Sequence, residues 1–433
     1  MSDTQTAEPT GVGGSATAPT AAKTCEYPES LALFRRAAQV IPCGIYGHYS
    51  PAPCVPAGAY PFFSERGEGA RFWDVDGNEF IDYMCAYGPM VLGYNHPGVD
   101  EAYHKQAKLG NTVTCAPRLM VEFAEYLVDL VPAADWAFFA KNGADTTNYA
   151  VMVARAATGR NKIIAVKGSY HGASPWMQSL GHPGVIEEDQ ENMIWIDWND
   201  YAALDQAIDR NQGQIAGFIA TPYHHPVFAD SELPAEGYWQ KVEQRLRNEG
   251  IVLIVDDVRT GFRLDMRGSN EYFGFKPDLI CFCKALANGY PISALVGAES
   301  LKNDAAKVFF TGSYWFSSAP MAAAMACLDE LKRIDGPNLM QEKGRKLTDG
   351  LVSIAKGHGY TLKVTGVPSM PYLRITDDET LVLHQMVCGE CTRRGAFMTS
   401  HHNWFLSTAH SDEDIRRTWD IFDDALKDVT QRH

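Results

Sequence analysis

IVLIVDDVRTGFR, residues 251–263, opens with five apolar residues, Ile251 to Val255, four of them β-branched. A short run that does not alternate fits a strand covered on both faces in a parallel sheet. The run stops at two carboxylates, Asp256 and Asp257. Open α/β sheets take their ligands just beyond the carboxyl ends of such strands. Downstream, Leu279 to Cys283 repeats the pattern and leads into Lys284, with Ala285 to Gly289 turning the chain away. An acid and an amine are therefore expected at the ends of neighbouring buried strands. That pairing suits an aldehyde cofactor acting as an electron sink: the amine holds the aldehyde, and the carboxylate keeps a ring nitrogen protonated.

Working outward, helices and short apolar strands alternate from Met120 onward. The pattern predicts strands at Trp136–Ala140, Lys162–Val166, Met193–Ile196, Ile215–Ala220 and Ile292–Gly297, with helices between most of them. This predicts an α/β fold with a mostly parallel central sheet covered on both sides. Phe62 to Tyr83 reads as an antiparallel meander turning at Asp76-Gly77, after a helix over residues 26–42. The expected organisation is a tail over 1–25, an N-terminal segment over 26–95, a large domain over 96–330 and a smaller α+β domain over 331–433. The N-terminal segment is expected to join the small domain.

The chain has 433 residues, 45% of them hydrophobic, and a net charge of −15 with no long basic block. Binding to a nucleic-acid backbone is disfavoured by that balance. No stretch reaches the ~18 apolar residues of a membrane span, and the first residues lack the apolar core of a signal peptide. Ten scattered cysteines in a chain of this size predict reduced thiols and a cytoplasmic protein. Cys388 and Cys391 form a lone CxxC in a helix-like stretch, so no metal site is expected.

Several residues stand where chemistry is done. Asn142-Gly143-Ala144 lies between a strand and a helix, where backbone amides bind phosphate and a glycine allows close approach. Tyr170-His171-Gly172 follows another strand, and an aromatic there can stack on a flat ring. Singly, each has a plainer reading as a turn, a cap or a surface side chain.

Their joint order resembles the class III, fold type I aminotransferases, over residues 27 to 430. GARFWDVDGNEFIDY, NGADTTNYAVMVARAATGR, YHGAS, DDVRTGFR, CKALANGYPISALVG and FLSTAHSDEDI all carry the resemblance. GPMVLGYNHP and DDVRTGFRL are similar to the glutamate-1-semialdehyde aminomutase-like branch. MCAYGPM, KNGADTT, FFTGSYWFSSAPMAAA and HHNWFLSTAH resemble bacterial fumonisin-type amine aminotransferases within it.

The resemblance implies pyridoxal 5′-phosphate as cofactor, with Lys284 forming the Schiff base and then shuttling the proton. It implies Asp256 against the pyridine nitrogen, with Tyr170, His171 and Val258 about the ring. Asn142, Gly143 and Ala144 would hold the phosphate, joined by Ser313 or Thr311 from a neighbouring subunit of a homodimer. The donor would be a bulky or long-chain amine with no carboxylate beside its nitrogen, and the acceptor a small 2-oxo acid such as pyruvate. Tyr49, Tyr87, Trp176, Trp315 and His402 are the expected substrate contacts, with Tyr46, His48 and Trp404 as further aromatics of the pocket. A 2,1-aminomutase or a β-amino acid transaminase is the alternative. Arg259, Arg263 and Arg394 are the candidates for the acceptor's carboxylate.

The departures from the family pattern matter as much. Ala144 stands where a threonine is usual, so one hydroxyl contact to phosphate is missing. Ser50 occupies the place of the arginine that grips glutamate-1-semialdehyde, and His402-Asn403 replaces Glu-Ala. These changes argue against that semialdehyde as substrate.

Overall fold

The computed structural model describes residues 24–47, 58–178 and 181–432. Residues 1–23 of the expected tail lie outside the described residues, as do Tyr49, His48 and Ser50. Among the described residues thirteen strands form three sheets. In chain order they are β1 (Ser64–Glu68), β2 (Arg71–Asp74), β3 (Glu79–Asp82), β4 (Trp136–Ala140), β5 (Lys162–Val166), β6 (Met193–Ile196) and β7 (Ile215–Ala220). Then come β8 (Val252–Asp256), β9 (Leu279–Phe282), β10 (Ser293–Gly297), β11 (Leu362–Val367), β12 (Met370–Ile375) and β13 (Ala396–Phe397).

The central sheet runs β4-β10-β9-β8-β7-β5-β6. Every pairing is parallel except those of β10, which runs against both β4 and β9. Its core strands β7, β8, β9 and β10 are buried along their whole length, because helices cover both faces. That is why they read as unbroken apolar runs instead of alternating ones. One physical consequence positions everything below: the carboxyl ends of β4, β5, β7, β8 and β9 and the start of β10 share one edge.

The meander β1-β2-β3 forms as its Asp-Gly turn predicts, with Asp74 accepting the backbone N–H groups of Asp76 and Asn78 at 3.0 and 2.7 Å. The sheet is completed by β13, which pairs in parallel with β3 from more than three hundred residues away (Ala396 opposite Ile81). The expected helix over 26–42 is shorter, Pro28–Ala37. It starts with proline in its first turn, where the missing N–H costs nothing, and the chain then unwinds through turns to Gly44. Cys388 and Cys391 are buried, unpaired thiols on the helix Val382–Arg393. No helix among the described residues is long and apolar enough to cross a membrane.

Candidate active site

The shared edge of the central sheet opens into a cavity of about 620 Å³. Asp256, Val258, Lys284, Asn142, Gly143, Ala144, Tyr170, His171 and Tyr87 all line it, so nine of the residues singled out from sequence converge there. Asp256 ends β8 and Lys284 follows β9, and these two strands are direct neighbours in register (Asp256 opposite Cys281).

Lys284 begins a single turn of 3₁₀ helix, Lys284–Ala287, and its backbone sits in the left-handed region at φ 44°. A non-glycine residue pays roughly 1–2 kcal/mol there, and such strain collects at functional sites where the surroundings over-determine it. Burial, reinforced by the Arg259 guanidinium, brings the Lys284 amine down to about 7. An amine so poised is about half free of its proton near neutrality, which suits a nucleophile and proton carrier.

Asp256 is buried, and its Oδ2 lies 2.6 Å from His171 Nδ1. The other His171 nitrogen is buried without a partner, and the His171 carbonyl accepts the Thr147 hydroxyl at 2.6 Å. His171 therefore fixes the orientation of Asp256 on the cavity wall. Asp257, one residue on, faces the other way into the core.

The phosphate-type turn opens the helix Gly143–Thr158. Its first-turn amides have no intrahelical acceptor. Asp145 closes the turn by accepting the N–H groups of Lys141 and Asn142 at 3.1 and 2.8 Å. A Cβ on Gly143 would meet Val258 Cγ1 at 2.8 Å, so only glycine lets this turn pass beneath Val258. Lys141 also lines the cavity, its Nζ buried without an acceptor and its amine brought down to about 8 by burial.

The structure separates the three candidate arginines. Arg263 is fully buried, donating to the carbonyls of Gly88 and Leu406 and lying over the Phe405 ring. Arg394 is tied to Glu390 and Asp428. Arg259 alone of the three lines the cavity; it donates to Asn403 Oδ1 at 3.0 Å and the His225 carbonyl at 3.3 Å, and no carboxylate among the described residues lies within ion-pair distance.

The family model for aminotransferase class-III matches residues 55–426. The chain belongs to the class III aminotransferases. An aminopentol aminotransferase of Sphingopyxis macrogoltabida is 40% identical over 397 residues, spanning 92% of this chain and 93% of its own length. A 3-aminobutyryl-CoA aminotransferase of Cloacimonas acidaminovorans is 33% identical, over 94% of this chain and 99% of its own. The FumI protein of Sphingopyxis sp. MTA144, solved in its PLP internal aldimine form, superposes with a TM-score of 0.90 at 39% identity, covering 93% of this chain and 96% of the other. The fold is thus that of the fold type I transferases, and the aminotransferase uses pyridoxal 5′-phosphate.

The residues present fit that cofactor. The cavity offers an amine for an aldehyde, a carboxylate for a ring nitrogen and a glycine-bearing helix N-terminus for a phosphate, together with two buried polar nitrogens, on His171 and Lys141, that lack partners. Other expected residues stand elsewhere. Trp176 hydrogen-bonds Asn148 and packs on the core, and Trp315 packs edge-to-face on Phe138 at 5.7 Å. Trp404 is a core residue donating to the Thr399 carbonyl, and Tyr46 is exposed. His402 sits behind Tyr87, ring to ring at 5.4 Å, and does not itself line the cavity. Thr311 and Ser313 are exposed on this chain's surface. Sequence reasoning passed over Thr221, His225, Cys283 and Tyr290 as cavity walls. Thr221 directly follows β7 where the family usually has glutamate, and His225 lies five residues past the same strand end.

Proposed function

We propose that this aminotransferase moves nitrogen from a primary amine lacking an adjacent carboxylate to a small 2-oxo acid such as pyruvate. The observation that carries this reading is Arg259, a cation on the cavity wall beside Lys284 with no carboxylate of its own. With Lys141 given to the phosphate end of the cavity, this one cation matches the one carboxylate of a 2-oxo acid. The names of the relatives point the same way: aminopentol and 3-aminobutyryl-CoA carry no free carboxylate beside the nitrogen.

Bound pyridoxal 5′-phosphate supplies the electron sink that stabilises negative charge on the donor carbon. In this reading Lys284 would hold the cofactor's aldehyde, and once the donor amine takes its place there the freed Nζ would carry the proton from the donor carbon. Asp256, oriented by His171, keeps the ring nitrogen protonated. Val258 and Tyr170 would bound the ring's faces. Gly143, Ala144 and Asn142 would hold the phosphate through backbone amides, with Lys141 adding charge where the usual threonine hydroxyl is missing. Arg259, fixed by Asn403, would grip the acceptor's carboxylate, a charge-assisted contact of the stronger kind.

A homodimer belongs to the same proposal. Phe309, Tyr314 and Phe316 are large side chains left exposed around Thr311 and Ser313, and clustered exposed apolar groups mark contact surfaces. Ser313 or Thr311 would reach the partner's phosphate from there.

Incubating the holoenzyme with a panel of amines and pyruvate and assaying alanine tests the reading. Alanine is expected from amines without a neighbouring carboxylate. An isomerised amino acid with no alanine would overturn it in favour of an aminomutase. Lys284→Ala should lose the visible absorbance of the bound cofactor and lower turnover by at least about 10²–10⁴-fold.

A further inference from the structure

Across the Ala86–Tyr87 wall of the cavity lies a second hollow of about 390 Å³. The two hollows have Ala86 and Tyr87 in common. The floor of the second is one face of the β1-β2-β3-β13 sheet, and its surface is aromatic: Phe62, Phe63, Phe72 and Phe397 line it. Phe72 and Phe397 meet edge to face at 5.2 Å. Its polar groups are already engaged. Asp82 accepts the Tyr94 hydroxyl at 2.6 Å and the Met84 N–H at 2.8 Å, and the Arg66 guanidinium lies over the Trp73 ring at 3.5 Å. A ligand entering there meets ring faces and edges, and finds few unengaged charges.

The shared wall is conformationally costly. Cys85, Ala86 and Tyr87 are three consecutive non-glycine residues at φ 46°, 52° and 64°. Single residues visit that region at a cost, and runs of them are not a feature of ordinary turns. The strain turns the chain so that Ala86 and Tyr87 stand between the two hollows. Strain of this kind persists where a site needs it.

We propose that the second hollow is the subsite for the donor's tail: the reacting amine sits beside Lys284, and an unbranched hydrocarbon chain passes Tyr87 to lie on the aromatic face of the β1-β2-β3-β13 sheet. This rests on the amine-donor reading above and adds to it the place where the donor's tail lies. The two hollows, at 620 and 390 Å³, are each within the usual size of small-molecule sites.

The test is a chain-length series from propylamine to dodecylamine, with pyruvate as acceptor and holoenzyme throughout. In the unaltered protein kcat/KM should rise about fourfold for each methylene that enters the hollow, the equivalent of ~0.8 kcal/mol per buried methylene, and then level off. Phe63→Asp places a charge in the hollow and Ser64→Trp fills it; both residues lie on its wall and outside the core. In each variant the slope should flatten, with its own propylamine rate as reference. Calorimetric binding of dodecanol, which cannot be transaminated, should show the same contrast without turnover.

A flat series in the unaltered protein, or a slope that survives both variants, overturns the tail subsite while leaving amine transamination standing. No alanine from any amine overturns the parent reading instead. If one variant fails to fold, the other decides.

Discussion

Asp256 and Asp257 are neighbours, and Arg259 and Arg263 follow within six residues, yet the segment after β8 divides into a cavity half and a core half. Asp256 meets His171 and the cavity, whereas Asp257 accepts the Ser269 N–H at 2.8 Å and the Thr260 hydroxyl. Arg259 lines the cavity, whereas Arg263 braces the carbonyls of Gly88 and Leu406. Identical side chains thus do opposite work. In the core half the Asp257 carboxylate and the two terminal nitrogens of Arg263 meet fixed protein partners, so removing one costs stability. In the cavity half Asp256 and Arg259 each meet a fixed partner and also line the cavity, so removing one is expected to cost chemistry more than stability.

The largest expected effect tests the core half. Arg263→Met leaves two buried carbonyls without a donor and should lower stability by about 3–5 kcal/mol in urea unfolding. Protein that remains folded should keep its acceptor KM; a raised KM with normal stability would erase the division. Asp256→Asn should do the reverse, lowering kcat by about 10²–10³-fold while the melting midpoint moves by only a few degrees.

Asp257 sharpens the comparison through pH. Burial pushes its carboxyl up to about 7, above the ~3.9 of an unfolded aspartate. The folded protein therefore holds a proton that the unfolded chain releases. This contribution is complete below the unfolded value and is lost as pH rises through about 7. Stability should decline across that window by roughly 2–4 kcal/mol, at about 1.4 kcal/mol per unit. Asp257→Asn should flatten the decline; urea midpoints compared at about pH 5 and about pH 8 measure it.

The smallest effect is the most specific. Arg259→Met should raise KM for pyruvate about 10- to 100-fold, as expected for losing a charged hydrogen bond of ~1.5–3 kcal/mol. It should also lift the Lys284 amine, because the neighbouring cation helps hold it near 7. The acid limb of kcat for the donor half, in which the Lys284 amine has been freed by the donor, should then move to higher pH. An unmoved limb with a raised pyruvate KM would confine Arg259 to acceptor binding.

Most of the central sheet was legible in the sequence, because β7, β8 and β9 are each a local apolar run ended by a polar residue. Asp256, Lys284 and the Asn142-Gly143-Ala144 turn were legible for the same reason: each sits at the end of such a run. The second hollow was not legible. It depends on β13 pairing with β3 across more than three hundred residues, and two residues of β13 carry no periodic signal of their own. Nor could the aromatics be sorted. Tyr87 reached the cavity and Trp404 the core although both lie in irregular segments.

What the sequence by itself determined was the placement of an amine and a carboxylate at the ends of adjacent buried strands, within motifs that resemble those of one aminotransferase family. Strand ends are set by local patterning, so residues attached to them are placed with the strand. Which arginine faces the cavity, which histidine steadies Asp256 and where a second hollow opens were decided only by tertiary structure. Those outcomes depend on side chains from distant segments meeting one another, and no local pattern encodes such a meeting.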